Sequence, residues 1–286
     1  NFSLPTPDQV DGVKLWLDAT DISTLDKSVS LGQGGQPSNN DAVGFWQDKS
    51  GYNHHAIKQS GNPVYRYNLY DENRSWVQTI STEDYFELNS SSSTFDAFEG
   101  LSLFMVYRWT GLNTWGSMIW KGTGVGHGFT GTFCIGKMNL GANQGLGVWY
   151  YNGESGKIKQ HGNQGSYADN SARIFSLVYN GEDGTSNIWV DGVKASISTG
   201  VYSTLPSTPT SHVNLGSVNN LFGEIIFLDR ALLTDTRQQM EGYLAQKWKL
   251  KDLMPITHPY LSAYPNFRLL DKNGEDVDDF TFSKNE

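Results

Sequence analysis

In the middle of the chain, aromatic residues are interleaved with glycine and polar residues in a way that suits binding of a sugar. NTWGSMIWKGTGVGHGF carries Trp115, Trp120 and His127, and GVWYYNGESG carries Trp149, Tyr150 and Tyr151. A sugar presents apolar C–H faces and polar edges. Trp and Tyr rings meet the faces, while Asn, Asp, Gln, His and backbone groups meet the edges. Successive strand residues point to opposite faces. Val148 and Tyr150 therefore share one face, taken as inward, and Trp149 and Tyr151 share the other, taken as outward. Trp149 and Tyr151 are the first candidates for stacking, followed by Trp115, Trp120 and His127. Most of the 9 tryptophans are still expected in the core, because large aromatic side chains are usually buried.

A second set of residues suits a hard cation. Calcium takes 6 to 8 oxygens from carboxylates and carbonyls. LDATD supplies Asp18 and Asp21, and WQDKSG supplies Asp48. These three are the expected ligands of a calcium ion. The competing reading is that Asp48 bonds to the backbone of its own turn and Asp21 caps a short turn.

Other chemistries lack their residues. A retaining glycosidase needs two carboxylates about 5 to 5.5 Å apart, and strand residues i and i+2 or i+4 share a face. The nearest pattern is STEDYFEL, where Glu83 and Glu87 share a face with Tyr85 between them. An exposed strand face explains it better. Glu224 and Asp229 in GEIIFLD are five apart and point to opposite faces. For a polysaccharide lyase, KIKQHGNQ offers Lys159, Gln160 and His161 in a loop, with His127 and Tyr151 approaching from elsewhere. No Gly-x-Ser-x-Gly elbow supports serine hydrolysis. GTGVGHG is glycine-rich but lacks the Lys and the following helix of a phosphate loop.

The elements that must position these residues are mostly strands. The chain has 286 residues, 31 of them Gly, and 13% are aromatic. It reads as one large all-β domain over residues 1–265, followed by an acidic tail or linker over 266–286. LSLFMVYRW is the strongest strand, and short runs follow at roughly ten-residue spacing, which makes about twelve to fourteen strands. SWVQTI and DYFELN read as a strand pair around a turn. WVDGVK reads as a type I′ hairpin, since Asp-Gly accepts φ > 0 at both central positions. No fixed-period repeat supports a propeller or solenoid.

Near the C-terminus, GEIIFLDRALLTDTRQQMEGYLAQKWKL reads as a strand buried on both faces running into a helix. The helix begins near Thr234 and Asp235, and Met240, Leu244 and Trp248 recur every four residues as one apolar stripe. Gly242 costs about 1 kcal/mol against Ala in a helix interior, so packing must hold this helix. Pro255, Pro259 and Pro265 forbid further helix in KDLMPITHPYLSAYP, which reads as an extended strap.

A net charge of -9 argues against nucleic-acid partners and anionic membranes. No run of about 20 apolar residues spans a bilayer. The single Cys134 allows no intrachain disulfide, as is common in secreted bacterial proteins. The abrupt start at NFSLPTPDQV suits an excised segment of a longer chain.

GVKLWLDATDISTL followed by WQDKSGYNHHA, then DGV after a strand, then the strand–helix unit, resembles the bacterial concanavalin-A-like or laminin-G-like jelly-roll domains. The resemblance covers about residues 12 to 260. It implies a two-sheet antiparallel jelly-roll sandwich, a first strand near the last one, and a short C-terminal helix that caps the sandwich. The fold hosts lectins, carbohydrate-binding modules, adhesins, hydrolases and lyases, so function must come from the site. The expectation is a non-catalytic carbohydrate-binding module of a larger secreted or cell-surface bacterial protein. The alternatives are a polysaccharide lyase or glycoside hydrolase of the same fold, and a structural or adhesive spacer.

Overall fold

The computed structural model describes residues 4–69, 73–90, 95, 99–109, 116–123, 130–140, 143–151, 158–162, 170–198, 211–216 and 219–261. Residues 123, 130–131, 137–140, 143–145, 151, 158–162 and 196–198 are described by their backbone alone. In chain order the strands are β1 Val13–Asp18, β2 Leu25–Asp26, β3 Phe45–Trp46, β4 Ala56–Ser60, β5 Val64–Tyr67 and β6 Ser75–Thr79. There follow β7 Tyr85–Leu88, β8 Gly100–Trp109, β9 Ser117–Thr123, β10 Thr130–Leu140, β11 Asn143–Tyr151 and β12 Ile158–Gly162. The last five are β13 Ala172–Asn180, β14 Thr185–Val190, β15 Val193–Ser198, β16 Val213–Gly216 and β17 Asn220–Leu228. Helix α1 spans Thr234–Lys247.

These strands form two antiparallel sheets, in agreement with the expected jelly-roll sandwich. The first runs β15-β14-β13-β8-β17-β6-β5, with β1 also paired to β17. The second runs β12-β11-β10-β9-β16-β7-β4-β3-β2. The first strand does lie beside the last, with Trp16 opposite Ile226 and Leu17 opposite Ile225.

Alternation along the strands builds two hydrophobic layers. On β17, Ile225 and Phe227 point between the sheets, and Ile226 and Leu228 point to the outer face of the first sheet. On β8, Leu103, Met105 and Tyr107 point between the sheets, while Phe104 and Val106 point out. Outward apolar residues need a cover, and α1 supplies it. Met240, Leu244 and Trp248 are buried against that outer face, and the Trp248 ring lies 5.0 Å from that of Trp76. This two-sided burial is why β8 and β17 read as continuous apolar runs and not as alternating ones.

Two glycines mark where backbones come close. A Cβ on Gly242 would stand 2.5 Å from the Cβ of Tyr260 and 2.7 Å from its carbonyl oxygen, so the strap after the helix requires glycine here. A Cβ on Gly223 would stand 2.5 Å from the Trp248 ring, at the bulge where β17 shifts register against β8. The Asp-Gly hairpin is present between β14 and β15, with φ of 50° at Asp191 and 73° at Gly192. Its Asp191 carboxylate also accepts hydrogen bonds from the Ile174 amide and the Arg173 guanidinium, both at 2.8 Å.

Several expectations change. The described residues hold more strands than the twelve to fourteen expected, because short pairs such as β2 and β3 are only two residues long. Strands β6 and β7 are not partners: β6 lies in the first sheet and β7 in the second. The link between them is a corner, since Val77 and Phe86 enter the same core from opposite sheets. Asp84 holds that corner by accepting the amides of Ile80 at 2.7 Å, Ser81 at 3.1 Å and Asn62 at 2.7 Å. KIKQHGNQ is partly strand, as β12. Helix α1 has Leu233 as its N-cap, with no side-chain cap; Asp235 instead accepts from Gln239 and Tyr260. The strap contains a 3-10 turn, Lys251–Leu253, and is tied to α1 by His258, 3.2 Å from the Glu241 carboxylate. The proposed tail, 266–286, lies outside the described residues.

Candidate functional site

Cross-strand register assembles a row of side chains on the outer face of the second sheet. Glu87 on β7 is opposite Asn214 on β16. Asn214 is opposite Trp120 on β9, Trp120 opposite Cys134 on β10, and Cys134 opposite Trp149 on β11. The neighbouring row is Phe86, Leu215, Ile119, Ile135 and Val148, all of it in the core between the sheets. Because the side-chain period is two, burying that row commits the first row to the other face.

At one end of the outer row lies a cavity of about 250 Å³. Tyr85, Glu87, Trp120, His212 and Asn214 line it, with Gly122 and Ser211 at its margin. The Tyr85 and Trp120 rings are in contact, with centroids 5.9 Å apart and planes at 55°, so they make one tilted aromatic surface in which Tyr85 is half-buried and Trp120 is 6% exposed. Glu87 and Asn214, side by side on adjacent strands, add a carboxylate and an amide. Asn214 is oriented by donating its amide to the His212 carbonyl at 3.1 Å. Lys121, the next residue after Trp120, alternates away from this face. It is 1% exposed and donates to the Ser211 carbonyl.

The other aromatic candidates fall differently. The inward assignment of Val148 and Tyr150 agrees with the structure, and burial pushes the Tyr150 hydroxyl well above its ordinary pKa, against the opposing hydrogen bond to Ser186. Trp149 lies on the opposite face, as its parity requires, but it is only 2% exposed. It packs with Trp120, Cys134 and the edge of Tyr85 in a small apolar cluster. Its role as an open stacking platform is therefore corrected: Trp149 backs Trp120 and has no free ring face to offer. The side chain of Tyr151, and Trp115 and His127 altogether, lie outside what is described. Tyr85, His212 and Asn214 were not singled out from sequence. The alternation in DYFEL does place Tyr85 and Glu87 on one face, but nothing local shows that β16 and β9 lie beside it.

Asp18, Asp21 and Asp48 are held by donors from the protein itself. Asp18 accepts the Lys247 ammonium at 2.8 Å, the Lys49 ammonium at 3.1 Å, and the Thr20 hydroxyl at 2.6 Å. Asp21 accepts Lys49 at 2.9 Å and the Ser23 hydroxyl at 2.5 Å. Asp48 accepts the amides of Trp16 and Ser50 at 2.9 Å and of His54 at 3.0 Å. Lys49 and Lys247 partner Asp18 and Asp21, and the third carboxylate, Asp48, is saturated by amides and the Ser50 hydroxyl. A calcium ion there would have to displace both lysines from Asp18 and Asp21. Among the described residues, no group of three or more His, Cys, Asp or Glu is placed to hold a metal.

The same region contains a fully buried carboxylate. Glu224 is 0% exposed and accepts four donors: the indoles of Trp16 and Trp248 at 2.7 Å each, the Tyr243 hydroxyl at 2.9 Å and the Lys247 ammonium at 2.8 Å. Burial raises the Glu224 pKa, against the opposing pull of Lys247. Burial also pushes Asp18 up, but Lys247, Thr20 and Lys49 outweigh it and leave the carboxyl below its usual range. With both carboxylate oxygens partnered, this network serves packing: it joins β1, β17 and α1.

The fold defines a class: a two-sheet antiparallel sandwich of jelly-roll type closed by one docked helix. No known family's sequence model matches the chain, and no curated protein matches it. Solved structures with this fold do. The chain is similar to the binding domain of Paraclostridial Mosquitocidal Protein 1, with a TM-score of 0.56 and 10% identity over 83% of this chain and 53% of that one. It is similar to the binding domain of Botulinum Neurotoxin DC in complex with SialylT, at 0.53 and 11%, over 85% and 52%. It is also similar to the ligand binding domain of botulinum neurotoxin serotype D in complex with N-acetylneuraminic acid, at 0.52 and 12%, over 80% and 50%. The chain thus spans about half the length of these structures.

Proposed function

We propose that this chain is a non-catalytic carbohydrate-binding module, part of a larger bacterial protein that acts outside the cell or at its surface. The observation that carries the reading is the row Glu87–Asn214–Trp120 with Tyr85 inclined over it, in a cavity of about 250 Å³. The aromatic surface led by the Tyr85 ring and backed by Trp120 suits a C–H face of a sugar, and a carboxylate beside an amide suits its hydroxyl edge. The fold neighbours add support for sugar binding in general, since two of them are complexes with SialylT and N-acetylneuraminic acid; at 11% and 12% identity they do not set the charge of the sugar taken here. Glu87 is the only carboxylate among the described residues of the cavity. Hydrolysis by a carboxylate pair has no second member there.

A glycan array, read beside assays for new reducing ends and for unsaturated uronates, tests this. Binding without turnover, weakened at least several-fold by Tyr85→Ala and Asn214→Ala, is expected, since an aromatic–sugar contact contributes about 1 kcal/mol. Turnover of any glycan would move the chain to the enzyme class. Silence in all three assays would leave the spacer reading.

A further inference from the structure

We propose that the Tyr85–Trp120 pocket selects neutral sugars carrying vicinal hydroxyls and rejects sugars bearing a carboxylate. This rests on the reading of the pocket as a sugar site and sets its charge preference. Glu87 is half-buried and lines the cavity. Its register partner Asn214 is 8% exposed and already oriented by the His212 carbonyl. No Lys or Arg is among the described residues that line the cavity. Lys121, adjacent in sequence to Trp120, is turned to the core side and engaged with Ser211.

A carboxylate accepts and does not donate when ionised. Its two oxygens match two adjacent hydroxyl donors, and the hydrogen bonds so formed are charge-assisted. The Asn214 amide can meet a third oxygen with donor or acceptor as needed. A sugar carboxylate in the same place would set two anions side by side in one cavity. Like-charge juxtaposition is the usual way a site rejects a near-identical ligand. The chain's net charge of -9 acts in the same direction over longer range.

The test is a set of matched pairs in which one hydroxymethyl group is replaced by a carboxylate: galactose against galacturonate, and cellobiose against its glucuronate-containing counterpart. Each is titrated calorimetrically at neutral pH into the parent and into Glu87→Gln. The parent should favour the neutral member by about tenfold or more. Glu87→Gln, which keeps shape and loses charge, should weaken the neutral member several-fold and bring the ratio close to one. Its unfolding midpoint should match the parent's, so a change in ratio is not a change in folding. Equal or tighter binding of the acidic member by the parent overturns the proposal and leaves the sugar site standing. So does a neutral preference that Glu87→Gln does not reduce. Binding that survives both Tyr85→Ala and Trp120→Ala unchanged locates the sugar elsewhere and overturns the site reading itself.

Discussion

The ammonium of Lys247 stands 2.8 Å from the carboxylate of Glu224. One belongs to the last turn of α1 and the other to β17, where the indoles of Trp16 and Trp248 hold the same carboxylate. Lys247 also reaches Asp18 on β1 at 2.8 Å. Lys247 thereby ties the helix to both the first and the last strand through two carboxylates. The apolar stripe alone would allow the helix to slide along its own axis.

Removing one partner of a buried ion pair leaves an uncompensated charge and costs about 3–5 kcal/mol. Lys247→Met is therefore expected to lower the urea midpoint strongly with the slope unchanged. Glu224→Gln should cost less, because a neutral amide still accepts from one indole. An unchanged midpoint in Lys247→Met would show that packing alone holds the helix.

Asp18 gives the pH dependence. Its folded pKa lies below its ordinary value of 3.8, so the folded state binds fewer protons than the unfolded one near that pH. The stabilisation is present above the unfolded value and is lost as pH falls through the lower folded value. The stability gap between the parent and Asp18→Asn should be full at neutral pH and narrow below about pH 4. Chemical denaturation across that range measures it. A gap that widened on acidification would contradict the sign.

Gly223 and Trp248 should couple. Gly223→Ala places a methyl group 2.5 Å from the indole and should cost about 1–3 kcal/mol by overpacking. Trp248→Ala should cost about 3–5 kcal/mol. In the double variant the new methyl meets the space left by the ring, so the summed cost should fall short of additivity by about 0.5–3 kcal/mol. Strict additivity would mean that the bulge, and not the contact, demands glycine.

Trp149 and Tyr85 should separate stability from binding. Trp149 is buried in the cluster behind Trp120, so Trp149→Ala should cost about 3–5 kcal/mol of stability. Tyr85 is half-buried at the cavity, so Tyr85→Ala should affect binding more than the unfolding midpoint. Thermal unfolding and sugar titration on both variants distinguish them; a stable Trp149→Ala with lost binding would restore an open role for that ring.

What the sequence by itself determined follows from local chemistry and period. Met240, Leu244 and Trp248 at helical spacing meant one buried stripe, and all three are buried. Asp191-Gly192 meant a hairpin, because few other pairs tolerate two positive φ values. Val148 and Tyr150 meant one face and Trp149 the other, because the strand period is two. What only the tertiary structure decided depends on partners far away in sequence. Glu87, Asn214 and Trp120 form a row only because β16 lies between β7 and β9, and strand order leaves no mark on the alternation within a strand. Trp149 is closed by neighbours on other strands, so parity could assign its face but not its exposure. Asp18 and Asp21 have oxygen ligands of the right type for calcium. That Lys49 and Lys247 meet them depends on the approach of a distant loop and the final helix, which no local pattern shows.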